Sequence, residues 1–249
     1  MTAKQITQTQ AVELEANPGY YLEKEAAAAW DGASAEFGKQ ILLTGAWRSY
    51  ATQEKLFLSR YRKGRLAGRP GYTNDERWWP ATGSYWTRLA GTYAAAVPGT
   101  SNHGGGLAVD VKTKRAKGDP AHAQAVIFTG WDDPDRTRFL EVAADWGWAD
   151  DEGRTVNEVW HLTYYPDRNK KKNTKPRAIL QKGTKKTNDV ETLQAFLNSV
   201  IDPDVTVDGI YGDATVSAVK RYQRKAGLTP TGKIGPVTHA RLAVSGIKW

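Results

Sequence analysis

No cysteine occurs among the 249 residues, so disulfides and thiolate metal sites are closed to this chain, and any metal must be held by nitrogen and oxygen. Histidine is scarce as well, with four in all, and methionine occurs once. No apolar run approaches the roughly 18 residues a membrane helix needs, so membrane insertion is not expected. The first ten residues, Met1 to Gln10, lack the apolar core and small-residue cleavage site of a secretory signal. The expectation is a chain that does not export itself.

What is present is an ordinary globular composition, 40% hydrophobic and 25% charged, in a length that suits one large domain or two modest ones. The net charge of +8 is concentrated in one place. Residues 1–167 carry 19 basic and 21 acidic side chains, residues 168–187 carry 9 and none, and residues 188–249 carry 7 and 6. The middle segment holds Arg168, Lys170, Lys171, Lys172, Lys175, Arg177, Lys182, Lys185 and Lys186 among Asn, Pro, Gly and Thr. It reads as a solvated, self-repelling linker between domains 1–167 and 188–249, and secondarily as a patch for a polyanion such as nucleic acid or an anionic cell-wall polymer. It offers no aromatic ring on which a base could stack, so specific nucleic-acid binding is not expected.

Apolar spacing predicts a helix over 22–37, stopped by Gly38, then a strand over 41–47 and a second helix from Ser49 closed by Gly64. Residues 64–100, rich in Gly, Pro, Trp and Tyr, read as a long irregular insertion that either walls a cleft or fills a satellite core. Leu107, Val109 and Val111 alternate as in a strand, with Asp110 on its other face. Asp133-Pro134 is an N-cap and first-turn pair for a further helix, and 160–165 reads as a closing strand. After residue 188 two amphipathic helices are evident. Gly209-Ile210-Tyr211-Gly212-Asp213-Ala214-Thr215 also aligns with Gly232-Lys233-Ile234-Gly235-Pro236-Val237-Thr238, an internal repeat that predicts a three-helix module.

The most informative stretch is Ser101-Asn102-His103-Gly104-Gly105-Gly106-Leu107-Ala108-Val109-Asp110, followed by Glu158-Val159-Trp160-His161. It supplies two imidazoles and two carboxylates, the parts of a hydrolytic zinc site. Such a site takes three protein ligands and leaves a fourth position for water, with a separate base to accept the water's proton. The three glycines allow a tight turn that returns Asp110 toward His103. Glu158 and His161, three apart, would face opposite ways on a regular strand, so Glu158 is placed in a turn and His161 at the strand's start. The pattern Ser-x-His-x-x-Gly-x-Ala-x-Asp arises by chance in such a chain with a probability on the order of 10⁻⁴. His122 and His239 lack such neighbours and read as structural residues.

These residues, with Arg48-Ser49-Tyr50 and Gln53 upstream, resemble the zinc D-alanyl-D-alanine carboxypeptidase family, which includes L-alanyl-D-glutamate endopeptidases of phage endolysins. The resemblance spans roughly residues 20–166. It implies zinc on His103, Asp110 and His161, Glu158 as base and then acid, Arg48 at the oxyanion, and Ser101, Gln53 and Trp160 supporting substrate or ligands. Gly105 departs from the many members that carry an aromatic residue there. From about Asp189 to Leu242, the Asp208-Gly209-x-Tyr211-Gly212-x-x-Thr215 element resembles a three-helix peptidoglycan-binding module.

The fold expected is therefore α+β, a peptidase domain with a small central antiparallel sheet flanked by helices, plus a small all-α domain. The function expected is that of a monomeric phage endolysin. It would be held in the host cytoplasm until release, and would cut L-Ala-D-Glu or a cross-link in peptidoglycan. The alternatives are a D-alanyl-D-alanine carboxypeptidase and a non-catalytic wall-binding protein.

Overall fold

A computed structural model describes residues 4–120, 125–172, 179–184, 187–201 and 205–247. In chain order its elements begin with β1 (Val12–Glu13), β2 (Tyr21–Leu22), α1 (Lys24–Phe37), β3 (Gln40–Ile41), β4 (Leu43–Gly45) and α2 (Tyr50–Arg60). There follow β5 (Tyr61–Lys63), β6 (Tyr72–Trp79), β7 (Ser84–Leu89), β8 (Ala108–Val111), β9 (Ala125–Val126), α3 (Pro134–Asp145) and β10 (Trp146–Ala149). The last are α4 (Asp151–Val156), β11 (His161–Asn169), α5 (Asn188–Val200), α6 (Asp213–Lys225) and α7 (Pro236–Val244).

The centre is a four-stranded antiparallel sheet in the order β10-β11-β8-β4. Helices α1 and α3 lie on it, because α1 turns Ala26, Ala29, Trp30, Ala33 and Phe37 inward at helical spacing. Trp30 sits edge-on to both Phe139 of α3 and Trp148 of β10, with ring centroids 5.4 and 5.1 Å apart. Its indole N–H is met by Asn17 Oδ1 at 2.9 Å, so the ring is buried without an orphaned donor. Asp133 caps α3 as its sequence predicts, accepting from the backbone N–H groups of Asp135 and Arg136.

Three expectations need correction. The strand predicted over 41–47 is split into β3, which runs parallel to β9, and β4, which pairs with β8. Helix α2 ends at Arg60, short of Gly64, because Tyr61 turns into β5 and buries its ring flat against Phe57 at 4.2 Å. Residues 64–100 are also not irregular throughout. They contain the β6–β7 hairpin, which with β5 forms a three-stranded antiparallel sheet. Trp79 and Trp86 of that hairpin pack with Phe57 and Tyr61 in a satellite core.

The first residues of the predicted linker are paired with acids of the first domain. Arg168 lies in β11 and meets Asp151, Lys170 meets Asp145 at 2.9 Å, Lys172 meets Glu25 at 3.1 Å, and Lys171 meets Glu36. These four charges lie along the acidic flank of the first domain, at the start of the predicted linker. Lys175, Arg177, Lys185 and Lys186 lie outside the described residues, as does His122.

Helices α5, α6 and α7 enclose a second core of Leu180, Val190, Leu193, Leu197, Tyr211, Val219, Ile234 and Leu242. The repeated loops are built alike. Gln194 receives the N–H groups of Asp208 and Gly209 and donates to Ile210 O, and Gln223 receives that of Gly232 and donates to Lys233 O. Both amides are buried, one beside Thr215 and the other beside Thr238, so each repeat is pinned from within by a glutamine. This module leans on the first domain. Leu228 and Val237 join the first core, and Glu15 accepts from the Gly235 N–H at 2.6 Å and the Thr238 hydroxyl at 3.1 Å.

Candidate metal centre and cleft

Strands β8 and β11 place the site. His161 pairs directly with Asp110 across the ladder between the two inner strands, so both side chains project from the same face of the sheet. His103 arrives from the preceding turn, where Gly106 has φ 68° and a Cβ there would fall 2.4 Å from the Glu23 nitrogen. Of the three glycines only Gly106 takes the left-handed conformation, so the turn rests on that one.

Glu158 lies in a turn closed by the His161 N–H donating to Glu158 O at 3.1 Å, and His161 opens β11. Two residues hold this turn. Gly153 of α4 approaches so closely that a Cβ would lie 2.6 Å from the carbonyl oxygens of Glu158 and His161. The buried Arg136 donates through Nε to Val159 O at 3.2 Å while ion-pairing with Asp150.

One ligand atom from each of His103, Asp110 and His161 lies within 4.8 Å of the other two. His103 Nε2 is 3.3 Å from Asp110 Oδ2, and His161 Nδ1 is 3.1 Å from Asp110 Oδ1. A tetrahedral metal with bonds of about 2.0–2.1 Å holds its ligand atoms roughly 3.3 Å apart, and each imidazole stands at about that distance from one of the two Asp110 oxygens. The remaining ring nitrogens are anchored, His103 Nδ1 on Ala46 O at 2.7 Å and His161 Nε2 on Glu152 Oε2 at 3.2 Å. Glu152 also accepts from Asn102 Nδ2 and Thr163 Oγ1. This is how a ligating imidazole is fixed in tautomer and direction.

The electrostatics favour a cation. Burial works against a charged Asp110, yet the imidazoles of His103 and His161 hold its carboxyl well below the usual range. Burial likewise opposes an imidazolium at His161, but the carboxylates of Asp110 and Glu152 outweigh it and push the group up to about 9. Glu152 is drawn down to about 2, chiefly by its hydrogen bond to His161. Glu158 goes the other way, since burial raises its carboxyl while His161 and His103 only partly offset it. It belongs to the cleft but not to the donor trio, which suits a proton acceptor better than a ligand.

Arg48 Nη2 stands 3.6 Å from Asp110 Oδ2, and Arg48 Nη1 donates to Gln53 Oε1 at 2.8 Å. Gln53, buried in α2, donates in turn to Ala96 O, so it positions Arg48. Ser101 Oγ accepts the His103 N–H at 3.2 Å. Trp160 lines the cleft and meets Tyr93 edge-on at 6.3 Å. All eight residues singled out in the sequence therefore line one cavity of about 230 Å³. Sequence reading missed Glu152, Asn102, Thr163, Arg60, Arg77 and Arg136. Asn102 lies inside the Ser101–Asp110 motif, and the others stand at positions with no local signal. His239 is on α7, buried in the C-terminal module and apart from this cavity.

Residues 19–167 match the D-alanyl-D-alanine carboxypeptidase family VanY, and residues 186–242 match a putative peptidoglycan binding domain. The chain belongs to the VanY family, with a peptidoglycan-binding domain at its C-terminal end. Among solved structures it is similar to the vancomycin-resistance D,D-dipeptidase VanXYg, with 18% identity over 69% of this chain and 63% of that one and a TM-score of 0.39. The LD-carboxypeptidase LdcB shows 20% identity over 70% and 79%, with a TM-score of 0.40. An uncharacterized protein of Kitasatospora aureofaciens is 43% identical over 54 residues, which are 21% of this chain and 46% of that protein. The chain thus spans less than two thirds of VanXYg and about half of the Kitasatospora protein.

Proposed function

We propose that this chain is a zinc peptidase that hydrolyses an amide bond of the peptidoglycan stem peptide, with His103, Asp110 and His161 holding one zinc ion. The observation that carries this is the donor trio at the floor of a cleft that also contains Glu158 and Arg48. Bound zinc supplies a Lewis acid that polarises the scissile carbonyl and lowers the pKa of water toward neutrality. Glu158, its carboxyl raised by burial, takes the proton of the attacking water and returns it to the leaving amine. Arg48, steadied by Gln53, presents a fixed positive charge to the developing oxyanion, an arrangement typically worth about 3–4 kcal/mol. Glu152 keeps His161 turned toward the metal.

The role we propose is that of a phage endolysin acting as an endopeptidase, at L-Ala-D-Glu or at a cross-link. It would be retained in the host cytoplasm until release to the wall. A binding domain on the same chain keeps the cleft at high effective concentration over an insoluble polymer. Cutting within the stem peptide opens the mesh, whereas trimming a terminal D-Ala leaves it closed. The second reading, a D-alanyl-D-alanine carboxypeptidase, is favoured by the family match itself. Mass spectrometry of purified peptidoglycan digested by the protein separates them. The endopeptidase reading expects new peptide amino termini, and free D-alanine as the sole product would overturn it.

A further inference from the structure

Two arginines in the cleft have no part in the steps above. Arg60, the last residue of α2, and Arg77, in β6, line the same cavity as the donor trio. Arg60 is half-buried and donates through Nη1 to Ala94 O at 2.8 Å. Among the described residues no carboxylate lies within ion-pairing distance of it. Arg77 binds Asp75 through Nε at 3.0 Å and more loosely through Nη2 at 3.5 Å, leaving Nη1, and Asp75 also serves Arg88 Nε at 3.0 Å and the Tyr61 hydroxyl at 2.6 Å. One carboxylate between two guanidiniums leaves a net positive charge, and of these three only Arg77 reaches the cavity.

The acids of the cavity are otherwise engaged. Asp110 faces two imidazoles and Arg48, and Glu152 is taken by His161, Asn102 and Thr163. Glu158 is reserved for the proton. Beside the two arginines the wall is made of Ala94, Ala95 and Ala96, whose small side chains leave room for a peptide, with the exposed Tyr93 at its edge. A half-buried guanidinium with donors left over by the protein, as at both positions, is suited to a carboxylate, which it binds through short, charge-assisted hydrogen bonds.

We infer that Arg60 and Arg77 form an anion subsite that takes a carboxylate of the peptide substrate set apart from the scissile amide. The inference rests on the peptidase reading of the cleft. In a lysine-type stem peptide two carboxylates have this chemistry, the α-carboxylate left free by a γ-linked D-Glu and the terminal carboxylate of D-Ala, and such peptides are the probe.

The test uses the full-length protein and synthetic stem peptides in three forms: both carboxylates free, the D-Glu α-carboxylate converted to carboxamide, and the C-terminus converted to carboxamide. The subsite predicts that one of the two amidations lowers kcat/KM about tenfold or more, mainly through KM, and that R60Q and R77Q collapse this acid preference toward one, while R60K retains part of it. Which amidation matters identifies the source of the carboxylate. Arg77 also orders Asp75, and the charge of Arg60 acts on Glu158 and Arg48, so the preference for acid over amide and not the absolute rate is the readout, with thermal melting of each variant as the check on folding. Binding of the same peptides to the E158Q protein, followed by calorimetry, gives a readout independent of turnover. Should the protein hydrolyse none of the peptides, the peptidase reading fails, and the binding preference and its loss in R60Q still decide the subsite. Equal affinity for acid and amide, or an acid preference unchanged by R60Q and R77Q, overturns the proposal.

Discussion

Asp110 at the floor of the cleft and Glu15 at the seam between the two domains are both carboxylates taken largely out of water, and their surroundings pull them in opposite directions. Burial raises both. Around Asp110 two imidazoles more than reverse that effect, and its carboxyl ends far below the usual range. Around Glu15 the nearest charge is a second carboxylate, Asp31, and the donors are neutral, so burial prevails and the group is pushed up to about 7. Its Oε2 is buried without a hydrogen-bond partner. The lesson is that partners, not depth, decide what a buried acid is for. The cleft is preorganised for a cation, and the seam for a proton.

That contrast can be broken at either end. The largest effect is expected at the cleft: D110N keeps the shape but removes a ligand charge, and should lower kcat/KM on wall peptides by about 10³-fold or more, measured by release of new amino termini. At the seam the effect is on stability. Because the folded-state pKa of Glu15 is raised, the folded chain holds more protons than the unfolded chain between about pH 4.5 and 7. Its contribution is therefore present below that window and lost as pH rises through it. E15Q, which still accepts from Gly235 and Thr238, should flatten this decline by up to about 3 kcal/mol in denaturant titrations across the window. The smallest effect is expected one shell out from the metal, where E152A should weaken metal binding by roughly 10–100-fold without abolishing it, as read by competition with a chelating dye.

The sequence carried the cleft more clearly than the seam, for physical reasons. The His103 turn, the Asp110 strand and the Glu158–His161 turn are each encoded within a few residues, by glycine placement and by alternation, and the structure brings all of them to one cavity on the face of the inner strands. Glu152 was not legible, because α4 folds over the strand and presents it to His161 from nine residues away. The β6–β7 hairpin was misread because Thr73, Asn74, Asp75, Glu76 and Arg77 form a polar run with no apolar alternation, and backbone pairing with β7 and β5 makes it a strand. The pairing of Arg168, Lys170, Lys171 and Lys172 was not legible because their acidic partners Glu25, Glu36, Asp145 and Asp151 are remote in sequence. Local charge counting cannot see such pairs. For the same reason the Glu15 contact with Gly235, 220 residues away, had no precursor in the sequence.

The central claim is that three residues hold the ion and a fourth, close by, does not. Zinc titration of metal-free protein tests it most directly, comparing the unaltered chain with H103A and E158Q. The account predicts one zinc per chain in the unaltered protein, a site lost in H103A, and full stoichiometry in E158Q. Zinc binding that survives H103A, or that disappears with E158Q in a folded protein, would contradict it.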